Sequence, residues 1–191
     1  SFLSFFPTLG IILNMDADHL DFFKDIDDIR HSFRKFAELL PADGALIINA
    51  DTPKYEMVAE NLPCKVITYG LEHDAEYTAS DITYDEFGHP TFHVLHNGED
   101  IGTCSLKVPG IHNVSNALAS IAAGRLLGLD NEVIFAGLKD FGGTDRRFQY
   151  KGKVGEVTII DDYAHHPTEI EATLHAAHNY PHKKIWCLFQ P

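Results

Sequence analysis

Cysteine and cationic residues are both scarce in this sequence, and each shortage narrows what the protein can be. The three cysteines are Cys64, Cys104 and Cys187. Their spacing matches no zinc-binding pattern, and their odd number favours reduced thiols over a disulfide framework. Lysine and arginine number 15 against 28 aspartates and glutamates, which gives a net charge of −13. Such a chain is not expected to bind nucleic acid or an anionic membrane surface by general electrostatic attraction.

Long apolar runs are missing as well. No segment approaches the roughly 20 residues that a membrane-spanning helix needs, and no secretory signal is visible. We therefore expect a cytoplasmic protein that does not contact a membrane. The chain starts in mid-pattern at Ser1 and ends just after a strand-like run, so we expect it to be a piece of a longer protein. Composition does not indicate how many subunits the protein has.

Apolar residues make up 45% of the chain, which is enough to form a packed core. Continuous apolar runs at 9–14, 45–50 and 64–70 predict buried strands. Helical spacing of apolar residues at 25–40 and a proline-started segment at 52–62 predict helices between these strands. The sequence therefore predicts an α/β fold with a parallel sheet of the Rossmann-like or P-loop type.

A different pattern follows at 76–108, where polar and apolar residues alternate around two turn signals. This pattern predicts an antiparallel β-hairpin insertion in the parallel sheet. Apolar stripes then predict helices at 112–129 and 131–141.

We place a domain boundary near residue 152, which divides the chain into residues 1–152 and 153–191. The second unit is expected to be the start of a second Rossmann-like βαβ domain. Its expected elements are a strand at 156–161, a helix at about 167–179 and a strand at 184–189.

Polar residues follow the first predicted strand in the segment NMDADHLD, residues 14–21. Ligands of open α/β sheets bind at the carboxyl ends of strands, so its aspartates and His19 are well placed to hold a divalent ion. A solvated loop with turn-forming aspartates explains the same residues equally well.

Two asparagines open a predicted helix in the segment VPGIHNVSNALA, residues 108–119. Asn113 and Asn116 lie three residues apart and so share one face of the first turn. Each amide carries both a donor and an acceptor, which suits the edge of a purine. Ordinary N-capping by one asparagine, with the other solvated, is the simpler explanation.

The loop GGTDRRF, residues 142–148, carries two adjacent arginines, Arg146 and Arg147. Arginine is well suited to bidentate phosphate contacts. Two adjacent arginines are more often simply exposed at the surface. Their place on a glycine loop in so acidic a protein modestly favours a phosphate-binding role.

The segment DDYAHHPTEI, residues 161–170, looks like a metal site by composition. Pro167 and Glu169 fit the first and third positions of a helix, so the polar residues fall in a turn between a strand and a helix. Three interpretations remain: a metal site, a turn whose carboxylates hold ribose hydroxyls while its rings line a small pocket, and a plain capped turn.

Taken together, NMDADHLD, PGIHNVSNALA, GTDRRF and DDYAHHPTEI…FQP resemble, in this order, the motifs of the ATP-dependent Mur ligases of peptidoglycan synthesis. The resemblance covers nearly the whole chain. The forms DADHLD and DDYAHHPTE are most similar to the alanine-adding branch of that family. The branch that recycles a murein tripeptide is the nearest competitor.

The resemblance implies specific roles for these residues. His19 would ligate a Mg²⁺ ion between the ATP γ-phosphate and the substrate carboxylate, and Arg147 would contact the phosphates. Asn113 and Asn116 would contact the adenine, with His112 beside them. Arg146 would lie near the phosphates. Asp161 and Asp162 would hold the ribose or position the arginine. Tyr163 and His165 would line a pocket for L-alanine.

The resemblance also implies a reaction and a domain arrangement. ATP would phosphorylate the carboxylate of UDP-N-acetylmuramate, and the amine of L-alanine would displace the phosphate. Residues 1–152 would be the later part of the central ATP-binding domain, and residues 153–191 the start of the amino-acid-binding domain. No G-x-x-x-x-G-K-[ST] phosphate-binding loop occurs in these residues. We therefore expect the 191 residues alone to be inactive. A non-catalytic nucleotide-binding module and a metal-dependent hydrolase are the alternative functions.

Overall fold

The structure of the protein is a computed structural model that describes residues 2–17 and 22–190. A six-stranded sheet has its strands in the order β1 to β6, and two further strands form a second sheet. The strands are β1 (Leu9–Ile12), β2 (Ala45–Asn49), β3 (Lys65–Tyr69), β4 (Tyr77–Tyr84), β5 (Pro90–His96), β6 (Glu99–Ser105), β7 (Gln149–Val154) and β8 (Val157–Asp161). The helices are α1 (Ile26–Ala37), α2 (Glu56–Ala59), α3 (Ile111–Leu126), α4 (Asn131–Asp140) and α5 (Pro167–His178), with a 3-10 turn at Phe2–Ser4.

Strand β2 shows why the apolar runs of the sequence are continuous. Ile47 packs in a cluster with α3 residues, whereas Leu46 and Ile48 pack in a second cluster with residues of α1. All three side chains are fully buried. Successive side chains of a strand point to opposite faces, so a strand covered by helices on both faces must be apolar throughout. The predicted α/β class is confirmed.

The predicted antiparallel insertion is confirmed as strands β4 to β6. Strand β4 joins the parallel part of the sheet through a single residue pair, Tyr69 with Tyr77, and β5 and β6 follow as antiparallel neighbours. Asn97 and Gly98, with φ of 51° and 81°, form the tight turn between β5 and β6. Such a two-residue turn needs positive φ at both positions, as an Asn-Gly pair allows.

Two local predictions were wrong. The helix expected at 52–62 is a single turn, α2, and the strand expected at 184–189 does not form. Leu188 is fully exposed and Trp186 is 78% exposed. A strand needs a hydrogen-bonded neighbour, and β8 pairs instead with β7, as an antiparallel hairpin.

Helix α5 lies against the first turn of α3 and the β4–β5 turn. Ala176 of α5 is 1% exposed, and a Cβ atom placed on Gly110 would lie 3.3 Å from the Ala176 methyl group. Near the C-terminal end of α5, the ring centroids of Phe87 and Tyr180 are 5.8 Å apart. These contacts bring the β8–α5 turn beside the start of α3. Within the described ranges, no helix has the length and apolar character needed to cross a membrane.

Candidate functional site

The site begins at Gly110, the residue before α3. Its φ of 97° and ψ of 146° are reached almost only by glycine. A Cβ atom at this position would also lie 2.7 Å from Cε1 of the His112 ring. The Pro-Gly turn seen in the sequence therefore needs glycine at position 110, because α3 starts directly after it and the His112 ring lies against Gly110.

The two asparagines of α3 form a small amide chain. Asn113 donates from Nδ2 to the carbonyl oxygen of Pro109 at 2.8 Å, and Asn116 donates from Nδ2 to Asn113 Oδ1 at 3.5 Å. Neither caps the helix, because Gly110 is the N-cap residue and no side-chain capping bond is present there. Asn116 remains exposed, so its amide is available to a ligand edge.

The arginine loop is held in an uncommon backbone conformation. Arg146 and Phe148 have φ of 58° and 46°, values in the left-handed region that non-glycine residues rarely adopt. Tyr163 donates its backbone N–H to the Arg146 carbonyl oxygen at 2.8 Å, which ties the loop to the turn after β8. Backbone strain of this kind concentrates at functional positions. Here the two strained residues flank Arg147 and set the direction in which its side chain projects.

Asp162 links the arginine loop to the turn after β8. Its Oδ2 accepts the backbone N–H of Phe148 at 2.7 Å, and its Oδ1 accepts the backbone N–H of Ala164 at 2.7 Å. Each carboxylate oxygen thus already carries one backbone hydrogen bond. This arrangement favours the positioning role among the two roles that the family resemblance implied for Asp162.

Arg146, Asp161, Tyr163 and His165 form one of two polar groups at the site. The guanidinium carbon of Arg146 lies 4.4 Å from the centre of the Tyr163 ring, within range of a cation–π contact. Arg146 Nε is 4.0 Å from Asp161 Oδ2. His165 Nδ1 is 3.1 Å from the Tyr163 carbonyl oxygen, and the two rings meet edge to face. Arg146 is therefore engaged with this turn.

His112, Arg147, Asp162 and Glu169 form the second polar group. The pKa of His112 is lowered, chiefly because surrounding protein atoms disfavour its cationic form, although the residue as a whole is exposed to solvent. The negative charge of Asp162 opposes this shift, and the positive charge of Arg147 adds to it. Arg147 Nη1 also lies 3.6 Å from Glu169 Oε1. The structure thus brings the second, third and fourth sequence motifs together at a single place.

The first motif lies close to the fourth. His19 falls outside the described residues, so its predicted metal role stays a prediction. Asp16 is described, and its Oδ2 accepts a hydrogen bond from Thr168 Oγ1 at 2.7 Å. Among the described residues, no group of three or more His, Cys, Asp or Glu side chains is arranged to hold a metal ion. The segment 161–166 is thus not, by itself, a metal centre in that part of the chain.

Sequence reasoning missed the roles of Glu169 and Thr168. Glu169 was predicted only as a helix-start residue, yet its Oε2 also accepts the backbone N–H of His165 at 3.3 Å. Its place three residues into α5 was the available signal. No local signal points from Thr168 to Asp16, because the two are 152 positions apart.

A cleft of about 380 Å³ opens beside Arg147. It lies between the β4–β5 turn and the loop before β7. Its lining includes Lys107, Pro109, Phe148 and Tyr180. Cationic and aromatic side chains together suit a planar anionic ligand.

Comparison with known proteins supports a common origin for all these elements. The model of the Mur ligase middle domain matches residues 2–124, and that of the Mur ligase glutamate ligase domain matches residues 146–191. The UDP-N-acetylmuramate–L-alanine ligase of Lachnospira eligens is 58% identical to this chain over 192 residues. That alignment covers all of this chain and 42% of the relative, so the chain spans less than half of that protein's length.

Solved structures agree with the sequence comparison. The crystal structure of the UDP-N-acetylmuramate–alanine ligase MurC of Thermotoga maritima is 30% identical, with a TM-score of 0.77 over 93% of this chain and 39% of that one. The murein peptide ligase of Psychrobacter arcticus is 29% identical, with a TM-score of 0.67 over 92% of this chain and 36% of that one. The family models match most of the chain, and the sequence and structural relatives agree with them. This chain therefore belongs to the Mur ligase family.

Proposed function

We propose that the protein containing this chain is an ATP-dependent ligase that joins L-alanine to UDP-N-acetylmuramate in peptidoglycan synthesis. The observation that carries the proposal is the meeting of three separate motifs. Asp162 accepts the backbone N–H of Phe148 beside Arg147, and the charges of Asp162 and Arg147 both act on His112. Three relatives that are 50–58% identical to this chain are named UDP-N-acetylmuramate–L-alanine ligases, and this supports the choice of substrates.

The proposed reaction proceeds through an acyl phosphate. The substrate carboxylate attacks the γ-phosphorus of ATP, and ADP leaves. The amine of L-alanine then attacks the acyl carbon, and inorganic phosphate leaves with the bonding electrons while the nitrogen loses a proton. Such chemistry depends on orientation and on neutralising phosphate charge more than on covalent help from the protein.

The described residues divide this work between them. Arg147, at the mouth of the cleft, would contact the phosphates, and Arg146 would contribute from the Tyr163 face. Asn116 and Asn113 would contact the base, with His112 beside them, whose lowered pKa favours the neutral imidazole. A neutral imidazole avoids adding a second cation next to Arg147.

Asp161, Tyr163 and His165 would serve the remaining ligands. Asp161 is exposed enough to reach a ribose hydroxyl, whereas Asp162 would act by holding the arginine loop. Tyr163 and His165 would line the L-alanine pocket. Mg²⁺ would shield phosphate charge when bound, and His19 is the residue we propose to hold it.

Two domains are part of the proposal, with residues 1–152 in the central unit and 153–191 in the C-terminal one. The pairing of β7 with β8 favours a boundary a few residues earlier, before Gln149. The family models leave residues 125–145 between them, and helix α4 in this interval packs against α3 and β6, so we infer a connection after Asp140.

Phosphate release by the full-length ligase, with ATP, Mg²⁺ and UDP-N-acetylmuramate, tests this function. L-Alanine should support turnover, and the Ala-Glu-diaminopimelate tripeptide should support much less. A preference for the tripeptide would favour the recycling ligase, whose structural representative has nearly the same sequence identity to this chain but a lower TM-score. Nucleotide binding without turnover in the full-length protein would instead favour a non-catalytic module.

A further inference from the structure

A side-chain hydrogen bond joins the loop after β1 to the first turn of α5. Thr168 Oγ1 donates to Asp16 Oδ2 at 2.7 Å, across 152 positions of sequence. The other carboxylate oxygen, Asp16 Oδ1, accepts the backbone N–H of Ala17 at 2.8 Å. Asp16 therefore bridges its own loop and the helix that follows β8.

The surroundings of Asp16 favour its ionised form. The carboxylate lies at the N-terminal end of α5, a 12-residue helix whose first N–H groups attract negative charge. His166 makes no side-chain capping bond, and its Nδ1 is 3.8 Å from Asp16 Oδ2. The pKa of the Asp16 carboxyl is lowered, chiefly by the hydrogen bond from Thr168.

Both sides of this contact are firmly held. Met15, next to Asp16, is 6% exposed and belongs to the core cluster on the α1 side of the sheet. On the other side, α5 is anchored by Ala176 against Gly110. Asp16 and Thr168 are the solvent-accessible ends of these two anchored elements, so their hydrogen bond sets how the ends meet.

We propose that Asp16 is a positioning residue that holds the loop preceding His19 against the turn that carries His165. Asp16 lies three residues before His19, and Thr168 lies three residues after His165. The contact therefore holds residues 15–17 of that loop beside the turn proposed to line the L-alanine pocket. This inference rests on the proposed function, in which the amine must reach an acyl phosphate, and small misplacements slow such steps strongly.

Kinetics of the full-length ligase test the inference. Asp16→Ala and Thr168→Val should each lower kcat/KM for L-alanine about tenfold, because each removes a hydrogen bond to a charged group. The double variant should be no worse than the poorer single variant, since both changes remove the same contact. Thr168→Ser keeps the hydroxyl group and should restore most of the activity.

Two control variants make the comparison specific. Thr173→Val changes a threonine of the same helix about 7.5 Å further along its axis, and Asp43→Ala removes an exposed carboxylate on a distant turn. Both should keep wild-type constants. A merely structural role for Asp16 would lower the free energy of unfolding while leaving kcat and KM per folded enzyme unchanged, which would overturn the proposal.

Amide hydrogen exchange provides a readout that does not depend on turnover. The Ile170 N–H donates to the His166 carbonyl oxygen across the first turn of α5. Asp16→Ala and Thr168→Val should each speed exchange of this amide about tenfold, and the double variant should show no further increase. Unchanged exchange there would overturn the contact itself. A wild-type enzyme without alanine-dependent phosphate release, but with the expected exchange pattern, would contradict the proposed function and leave the contact established.

Discussion

The carboxylate of Asp162 accepts the backbone N–H of Phe148 at 2.7 Å and thereby fastens the arginine loop to the end of β8. Phe148 has a positive φ, and so does Arg146 on the other side of Arg147. The direction in which Arg147 points is thus determined by a carboxylate 15 positions away in sequence, counting from 147 to 162. We therefore expect replacement of Asp162 to disturb the site even without direct contact between this carboxylate and a ligand.

Replacement of Asp162 should destabilise the chain. Asp162→Ala leaves two backbone N–H groups without their acceptor, and we expect a loss of about 1–3 kcal/mol in the free energy of unfolding. Asp162→Asn, which keeps one acceptor oxygen, should fall between that variant and the wild type. Urea unfolding of the 191-residue chain measures the effect. Asp161→Ala is the matched control, and an equal loss in both alanine variants would contradict the role given to Asp162.

Gly110→Ala should also destabilise the chain, by about 1–3 kcal/mol, because alanine cannot adopt this backbone conformation without strain. The added methyl group would also press on His112 and Ala176. Gly137→Ala is the matched control, since Gly137 lies in α4 with open space around its Cα. That change should instead stabilise by about 0.5–1 kcal/mol, as alanine does within helices. Thermal unfolding measures both variants. A change in stability of the same sign in both would contradict the need for glycine at position 110.

The stability of the chain should depend on pH through His112. Its pKa is lower in the folded state than in the unfolded state, so the unfolded state binds more protons once the pH falls below about 6.5. Stability should therefore decrease as the pH is lowered from about 7 towards 5. His112→Gln should flatten that part of the profile, whereas His175→Gln on the exposed side of α5 should not. Chemical denaturation at several pH values provides the measurement.

Arg147→Lys in the full-length ligase should lower kcat/KM about ten- to a hundredfold, because lysine cannot reproduce the forked contact of a guanidinium with phosphate. Lys139→Ala, on the exposed side of α4, should have no effect. Steady-state phosphate release at saturating UDP-N-acetylmuramate distinguishes the two. Full activity of Arg147→Lys would exclude a bidentate phosphate role for this residue.

The 191 residues on their own should release no phosphate from ATP in the presence of UDP-N-acetylmuramate and L-alanine. They contain no G-x-x-x-x-G-K-[ST] segment to surround the phosphates. The assay compares this chain with the full-length ligase at equal concentration. Turnover by the shorter chain above the no-enzyme blank would show that phosphate binding is achieved by other means.

Local pattern was enough to predict most of the elements. The apolar run at 45–50 predicted a buried strand, and in the structure Ile47 and Leu46 face opposite core clusters. Pro167 predicted the start of α5 at that residue, as observed. These features depend on residues within one or two turns of each other, so the periodicity of the chain carries them.

Sequence by itself thus determined most of the helices and strands in their order and the segments that carry polar residues, although not strand β7. Tertiary structure alone decided that Thr168 meets Asp16, that Asp162 holds Phe148, and that the apolar run at 184–189 remains unpaired. The reason is physical. Helix and strand periodicities extend over a few residues, whereas a hydrogen bond across 152 positions, or a strand's need for a neighbour, depends on how distant segments pack.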